Sequence, residues 1–189
     1  MELPRYVRVN TLRTTTAEAI EHFKELKYRY VDNIEEYEQP PKGKTFWNGE
    51  DLNNLLVFPS GTDLHAEPWV AEGKLILQDK ASCLSAIVLL EDCEPAEDKN
   101  STSPTRFCNV IDACAAPGNK TTHAAALMNR IGNTHQLYAV DKDDKRILLL
   151  KQFTERAGAP VRILHQSFLD IDPKGSDLGT VSCCIRSDC

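Results

Sequence analysis

The densest run of residues able to do chemistry lies between Val110 and Thr121, where the chain reads V-I-D-A-C-A-A-P-G-N-K-T. An apolar stretch ends at Asp112, small side chains follow at Ala113, Ala115 and Ala116, and Pro117-Gly118 opens a helical pattern. Small side chains let backbone N–H groups come close to a bound molecule, Gly118 permits a tight turn, and a helix N-terminus favours a carboxylate. About twenty residues beyond Lys120 the next apolar run ends at Asp141, where an acid can accept hydrogen bonds from both hydroxyls of an adenosine ribose. The spacing predicts a nucleoside-containing cofactor at the carboxyl ends of two neighbouring strands. S-adenosyl-L-methionine has a carboxylate and a ribose that suit both places. A nicotinamide dinucleotide also wants an acid at the second strand, but its loop ordinarily carries G-x-G-x-x-G, and this one has a single glycine beside a proline. A strand-to-helix turn that binds nothing is the remaining alternative.

For this loop and Asp141 to meet, strands must alternate with helices. The pattern predicts a strand over 107–111, a helix over 119–130, a strand over 136–140, a helix over 143–157 and a strand over 161–164, which together imply βαβ units and a parallel sheet. Upstream, Lys74 to Asp79 leads into an apolar helix over 81–90, and the hydrophilic stretch 91–106 reads as an insertion loop. At the start, Tyr6, Val7 and Val9 form a short β-like run that stops at Asn10. Thr15 and Glu18 stand in capping-box spacing before a helix with Ala19, Ile20, Phe23 and Leu26 on its apolar side. Leu55 to Phe58 before Pro59-Ser60-Gly61 reads as another strand closed by a turn. The chain thus divides into a small α/β domain over 1–72 and a second α/β domain over 73–181, with a tail over 182–189.

A net charge of −6 and a pI near 5.4 exclude a surface that grips nucleic acid everywhere, so any such contact is local. No apolar run approaches the roughly 18 residues of a membrane span and no secretory signal pattern is present, which predicts a soluble intracellular protein. Seven cysteines without a C-x-x-C pair speak against a disulfide framework or a zinc site; Cys83 and Cys108 read as buried thiols.

Three segments occur in a telling order: P-R-Y-V-R-V-N-T-L (Pro4–Leu12), L-I-L-Q-D-K-A-S-C-L (Leu75–Leu84) and D-A-C-A-A-P-G-N-K-T (Asp112–Thr121). With them the sequence resembles the Sun-domain, or RsmB/Nop-type, RNA (cytosine-5-)-methyltransferases from Pro4 to Val181, outside 91–106. The A-P-G-N-K form and F-P-S-G-T-D-L-H (Phe58–His65) are most similar to the eukaryotic branch acting on large-subunit ribosomal RNA. The resemblance implies a Rossmann-like class I methyltransferase sheet preceded by a small α/β flanking domain that helps hold RNA. It implies S-adenosyl-L-methionine as cofactor, ribosomal RNA as partner, 5-methylcytosine as product and a place in the nucleus and nucleolus. Residue by residue, it implies that Cys114, Ala115, Ala116, Pro117, Gly118, Asn119 and Lys120 wrap the cofactor, that Asp141 binds its ribose and that Arg146 lies beside it. Gln78 and Asp79 match an architectural motif, and Arg5, Arg8 and Arg13 are candidate RNA contacts.

The sequence departs from the family pattern twice. Gln166-Ser167-Phe168-Leu169 stands where the family has an E-D-F-L-like segment, so Ser167 replaces an acid near the adenine. More consequentially, carbon 5 of cytosine is a poor nucleophile until a thiolate adds to carbon 6, and the family supplies that thiolate and a second, product-releasing cysteine from D-P-x-C-S-G and T-C-S segments. Neither segment occurs here. Cys183 and Cys184 lack the preceding Asp-Pro, Cys114 belongs to the cofactor loop, and no catalytic residue is assigned. The expectation is a truncated sheet in which no apolar strand follows Val181 and the strand ending at Asp112 has an unpaired, aggregation-prone edge. A non-catalytic RNA- or cofactor-binding fragment or scaffold is the alternative reading.

Overall fold

The computed structural model describes residues 3–32, 34, 41–49, 52–90, 109–132 and 135–172, together with the backbone of 181–185. The 91–106 insertion, Cys108 and residues 186–189 lie outside the described residues. The chain forms two compact units, Met1–Lys80 and Ala81–Cys189.

The first unit is a five-stranded sheet with one long helix. Its elements are β1 (Arg5–Val9), α1 (Thr16–Glu25), β2 (Arg29–Val31), β3 (Thr45–Gly49), β4 (Leu52–Phe58), the short α2 (Pro68–Ala71) and β5 (Leu75–Leu77). The strand order is β2-β3-β4-β1-β5, with β1 antiparallel to both β4 and β5. Because β5 is hydrogen-bonded to β1, the first unit runs through Lys80, past the boundary at residue 72 drawn from the sequence.

Period-2 alternation along β1 sends Val7 and Val9 into the core with Ala19 and Phe23 of α1, Phe46, Phe58 and Leu75. Phe23 stands edge-on to Phe58 at 4.8 Å, and Phe46 stacks on Phe58 at 5.4 Å. The expected capping box starts α1: the Glu18 N–H donates to Thr15 Oγ1 (3.2 Å) and the Thr15 N–H to Glu18 Oε2 (2.9 Å). Strands β2 and β3 and helix α2 were not expected. β2 is three residues long, and β3 is buried at both Phe46 and Trp47, so neither shows alternation in sequence.

The same alternation corrects one expectation. Arg8 faces away from the Val7 and Val9 side and is fully buried, its Nε donating to Gln78 Oε1 at 2.7 Å. A guanidinium held inside the protein cannot reach a phosphate from solvent, so Arg8 is a structural residue of the first unit; Arg13 is exposed and Arg5 half-buried.

The second unit begins at the second residue of α3 (Lys80–Leu90), in which Cys83 is buried as the sequence predicts. It continues with β6 (Asn109–Asp112), α4 (Asn119–Arg130), β7 (Leu137–Asp141), α5 (Asp144–Ala157), β8 (Arg162–His165), a 3-10 turn over Phe168–Asp170 and β9 (Val181–Ile185). Asp143 caps α5 by accepting from the Lys145 and Arg146 N–H groups, which sets the helix start one residue later than expected. The sheet is parallel throughout, in the order β8-β7-β6-β9.

Strand β9 overturns a second expectation. β6 has partners on both sides, with Val110 opposite Cys183, Ile111 opposite Cys184 and Asp112 opposite Ile185. The backbone N–H and C=O groups of a buried strand need partners whatever side chains the neighbour carries, and a five-residue run suffices to supply them. The prediction of aggregation from an open β6 edge loses its ground. Among the described residues no helix is long and apolar enough to cross a membrane.

Candidate cofactor site

Since β6, β7 and β8 are parallel and in register, Asp112, Asp141 and His165 all end strands at one edge of the sheet. β6 comes first in this sheet and has β7 on one side and β9 on the other, so the order reverses at it. Ligands of open parallel sheets bind outside the carboxyl ends of the strands at such a reversal. The loop from Asp112 to the start of α4 stands at that point.

Three sets of bonds hold the loop. The Ala115 N–H donates to the Val140 carbonyl (3.0 Å), continuing the pairing with β7. The Ala116 N–H donates to Asp141 Oδ2 (3.3 Å), and Arg146 Nη2 donates to the Ala116 carbonyl (2.8 Å) while lying 3.2 Å from Asp141 Oδ2 and 3.7 Å from Cys114 Sγ. The Ala116-Pro117 peptide is cis. Gly118, at φ +117, is the N-cap of α4, and a Cβ there would lie 3.1 Å from Phe153 Cδ1 and 3.2 Å from Leu150 Cδ1. The loop is therefore pressed against α5 at a place where only glycine fits.

All nine residues expected at the cofactor fall on this loop, in the first turn of α4, at the end of β7 or in the first turn of α5. Ala115, Ala116 and Gly118 are buried, Cys114, Asn119 and Lys120 half-buried, and Pro117 exposed. The Asp141 side chain is only 2% exposed; besides Ala116 and Arg146 it accepts from the Asp143 N–H at Oδ1 (3.1 Å). Arg146, at 44% exposure, is the part of this network that solvent reaches.

Asp112 is the residue that the sequence reading did not place in the site. It is 1% exposed, its Oδ2 accepts from the Thr121 hydroxyl at 2.7 Å, and its Oδ1 accepts from the Cys114 N–H at 3.4 Å. Burial pushes its carboxyl above the usual aspartate range and Asp141 adds to the rise, opposed by the Thr121 and Cys114 hydrogen bonds and the Lys120 charge. Its position as the last residue of a strand that feeds a small-residue loop was the available signal. Ser167, by contrast, uses its hydroxyl locally: it accepts from the Leu169 N–H (3.2 Å) as the cap of the 3-10 turn. The neighbouring Gln166 N–H donates to the Asp141 carbonyl (3.1 Å), which ties this segment to the end of β7.

Residues 3–78 match the model of the NOL1/NOP2/Sun domain family member 5 ferredoxin-like domain, and residues 102–177 match that of the 16S rRNA methyltransferase RsmB/F. A 28S rRNA (cytosine-C(5))-methyltransferase of Mus musculus is 41% identical over 175 residues, covering 91% of this chain and 34% of the mouse protein. The 25S rRNA (cytosine-C(5))-methyltransferase NSUN5 of Arabidopsis thaliana is 36% identical over 172 residues, covering 90% of this chain and 24% of that protein. The chain thus spans about a third or less of the length of these relatives. A methyltransferase homolog protein from Pyrococcus horikoshii shares the fold, with a TM-score of 0.64 at 22% identity over 89% of this chain and 46% of that one. Two family models matched in the family's order, joined by relatives that span both units, lead to one assignment: the chain belongs to the Sun-domain, RsmB/F-type family of RNA cytosine-C5 methyltransferases, with the family's ferredoxin-like domain as its first unit.

Proposed function

We propose that this chain holds S-adenosyl-L-methionine at the Cys114–Lys120 loop and Asp141, as part of an enzyme that forms 5-methylcytosine in ribosomal RNA. The observation that carries the reading is the buried acid at the end of β7 bonded to the loop that leaves β6 at the reversal of strand order. The residues present fit the cofactor. Gly118 leaves the loop without a side chain, the first turn of α4 with Lys120 suits a carboxylate, and the buried acid Asp141 suits a ribose. When bound, the cofactor supplies the methyl group.

The chain's own residues bind and orient. An ionised carboxylate offers about four lone-pair positions, and three donors already approach Asp141. A ribose hydroxyl therefore takes the remaining Oδ1 position or displaces the exposed Arg146 from Oδ2. Arg146 keeps its bond to the Ala116 carbonyl in the first case and so holds the loop in place under the ligand. The 189 residues are assigned no catalytic thiolate, since the D-P-x-C-S-G and T-C-S segments do not occur in them and Cys114 lies in the cofactor loop. Acting alone, the chain is expected to bind without methylating. Arg5 and Arg13 remain the candidate RNA contacts of the first unit, and a ribosomal RNA substrate puts the protein in the nucleus and nucleolus.

The test is calorimetric titration of the chain with S-adenosyl-L-methionine beside a Lys120→Ala, Asp141→Ala double variant. Saturable binding that the double variant abolishes is expected. A folded chain that binds none would defeat the reading in favour of an RNA-binding scaffold.

A further inference from the structure

We infer that the buried Asp112–Thr121 pair is the positioning element of the cofactor loop, one carboxylate holding both ends of the segment that wraps the ligand. The inference rests on the cofactor reading above and gives a role to two residues that contact no part of the assigned site except its backbone.

Helix α4 lacks the usual means of fixing its start. Its N-cap is Gly118, which has no side chain to accept from the first turn, and no other side-chain cap is present. Thr121, third residue of the helix and fully buried, turns its hydroxyl instead to Asp112, nine residues earlier in the chain, at 2.7 Å. The other oxygen of Asp112 receives the Cys114 N–H. One end of the loop and the first turn of the helix are thereby referred to the same carboxylate, and that carboxylate sits on β6, which is paired on both sides. Midway, the Asp141 and Arg146 bonds to Ala116 hold the remaining stretch. A buried carboxylate is costly to keep ionised, and a strand end with no task beyond packing is better served by an apolar residue. The charges that act on Asp112 are Lys120 from α4 and Asp141 from β7, the latter paired with Arg146 from α5.

A positioning role makes the loop's order, and with it the affinity for the cofactor, depend on the Thr121 hydroxyl and on ionisation of Asp112. Thr121→Val removes the hydroxyl at nearly constant volume, and Thr121→Ser restores it. Titration of the full chain with S-adenosyl-L-methionine should show binding about tenfold weaker in Thr121→Val, equivalent to about 1.4 kcal/mol, with wild-type affinity in Thr121→Ser. Affinity should also fall on acidification as Asp112 takes up its proton. That fall should move to higher pH in Thr121→Val, which lacks the bond that opposes the rise, and lose the Asp112 component in Asp112→Asn, where Asp141 is the acid left at the site. A packing role alone would not move the pH profile. Equal affinity in Thr121→Val and wild type, or an acid limb in Asp112→Asn that coincides with that of wild type, overturns the inference. If Thr121→Val does not fold, the Asp112→Asn profile decides. If the wild-type chain binds no cofactor, the function proposed above fails, and amide hydrogen exchange at Cys114 judges the pair separately: faster exchange in Thr121→Val supports it and unchanged exchange refutes it.

Discussion

Replacing Gly118 with alanine tests whether the loop is held against α5 by the absence of a side chain. Two costs are expected. The backbone at φ +117 lies where an L side chain meets its own carbonyl, at about 1–2 kcal/mol. The new Cβ would also lie 3.1 Å from Phe153 Cδ1 and 3.2 Å from Leu150 Cδ1, tighter than ordinary contact. Leu150 is fully buried, so it can yield only by disturbing the α5 packing, at about 1–3 kcal/mol. Gly132 separates the two: it also has positive φ, +69, but a Cβ there meets nothing within 4 Å. Gly132→Ala should therefore cost about 1–2 kcal/mol and Gly118→Ala about 2–5 kcal/mol. Chemical denaturation followed by circular dichroism gives both values, and at about 4–8 °C per kcal/mol for a unit of this size thermal melting separates them as well. Equal destabilisation by the two substitutions would show that α5 does not confine the loop at Gly118. The account of why this turn carries glycine would then be wrong.

Three further outcomes follow from charge and burial. Since burial raises the Asp112 carboxyl in the folded state, its stabilising contribution is present below the usual aspartate range and is lost as pH rises through the raised value; the melting temperature of wild type relative to Asp112→Asn should decline over that interval, and a constant difference would contradict the burial argument. Arg8→Met should destabilise the first unit by about 1–3 kcal/mol, because the buried Gln78 carbonyl oxygen loses its donor. Arg13→Ala, on the surface, should leave melting unchanged and lower the salt slope of RNA binding by about 0.7 if it meets a single strand. Filter binding well below the melting temperature checks the pair, and RNA affinity that follows Arg8 while the fold stays intact would restore it as a contact.

The sequence by itself determined the elements with strong local signals. Helix α4 follows from Asn119 to Arg130 as read, α1 from the Thr15–Glu18 capping box, and the parallel alternation of β6 to β8 from apolar runs separated by amphipathic helices. It also singled out the loop proposed to hold the cofactor, since small residues, a single glycine and an acid about twenty residues later are local facts of composition and spacing. It did not determine partners. Nothing near Arg8 announces Gln78, seventy residues away, and an arginine between two valines reads equally as a surface cation until the sheet decides which face is covered. β9 was illegible because pairing beside β6 is made by backbone groups that every residue carries, so V-S-C-C-I gave no pattern to read. Asp112 looked like the end of a strand. Only the tertiary structure placed Thr121 within 2.7 Å of it and removed water from around both, and a buried carboxylate takes its role from those neighbours.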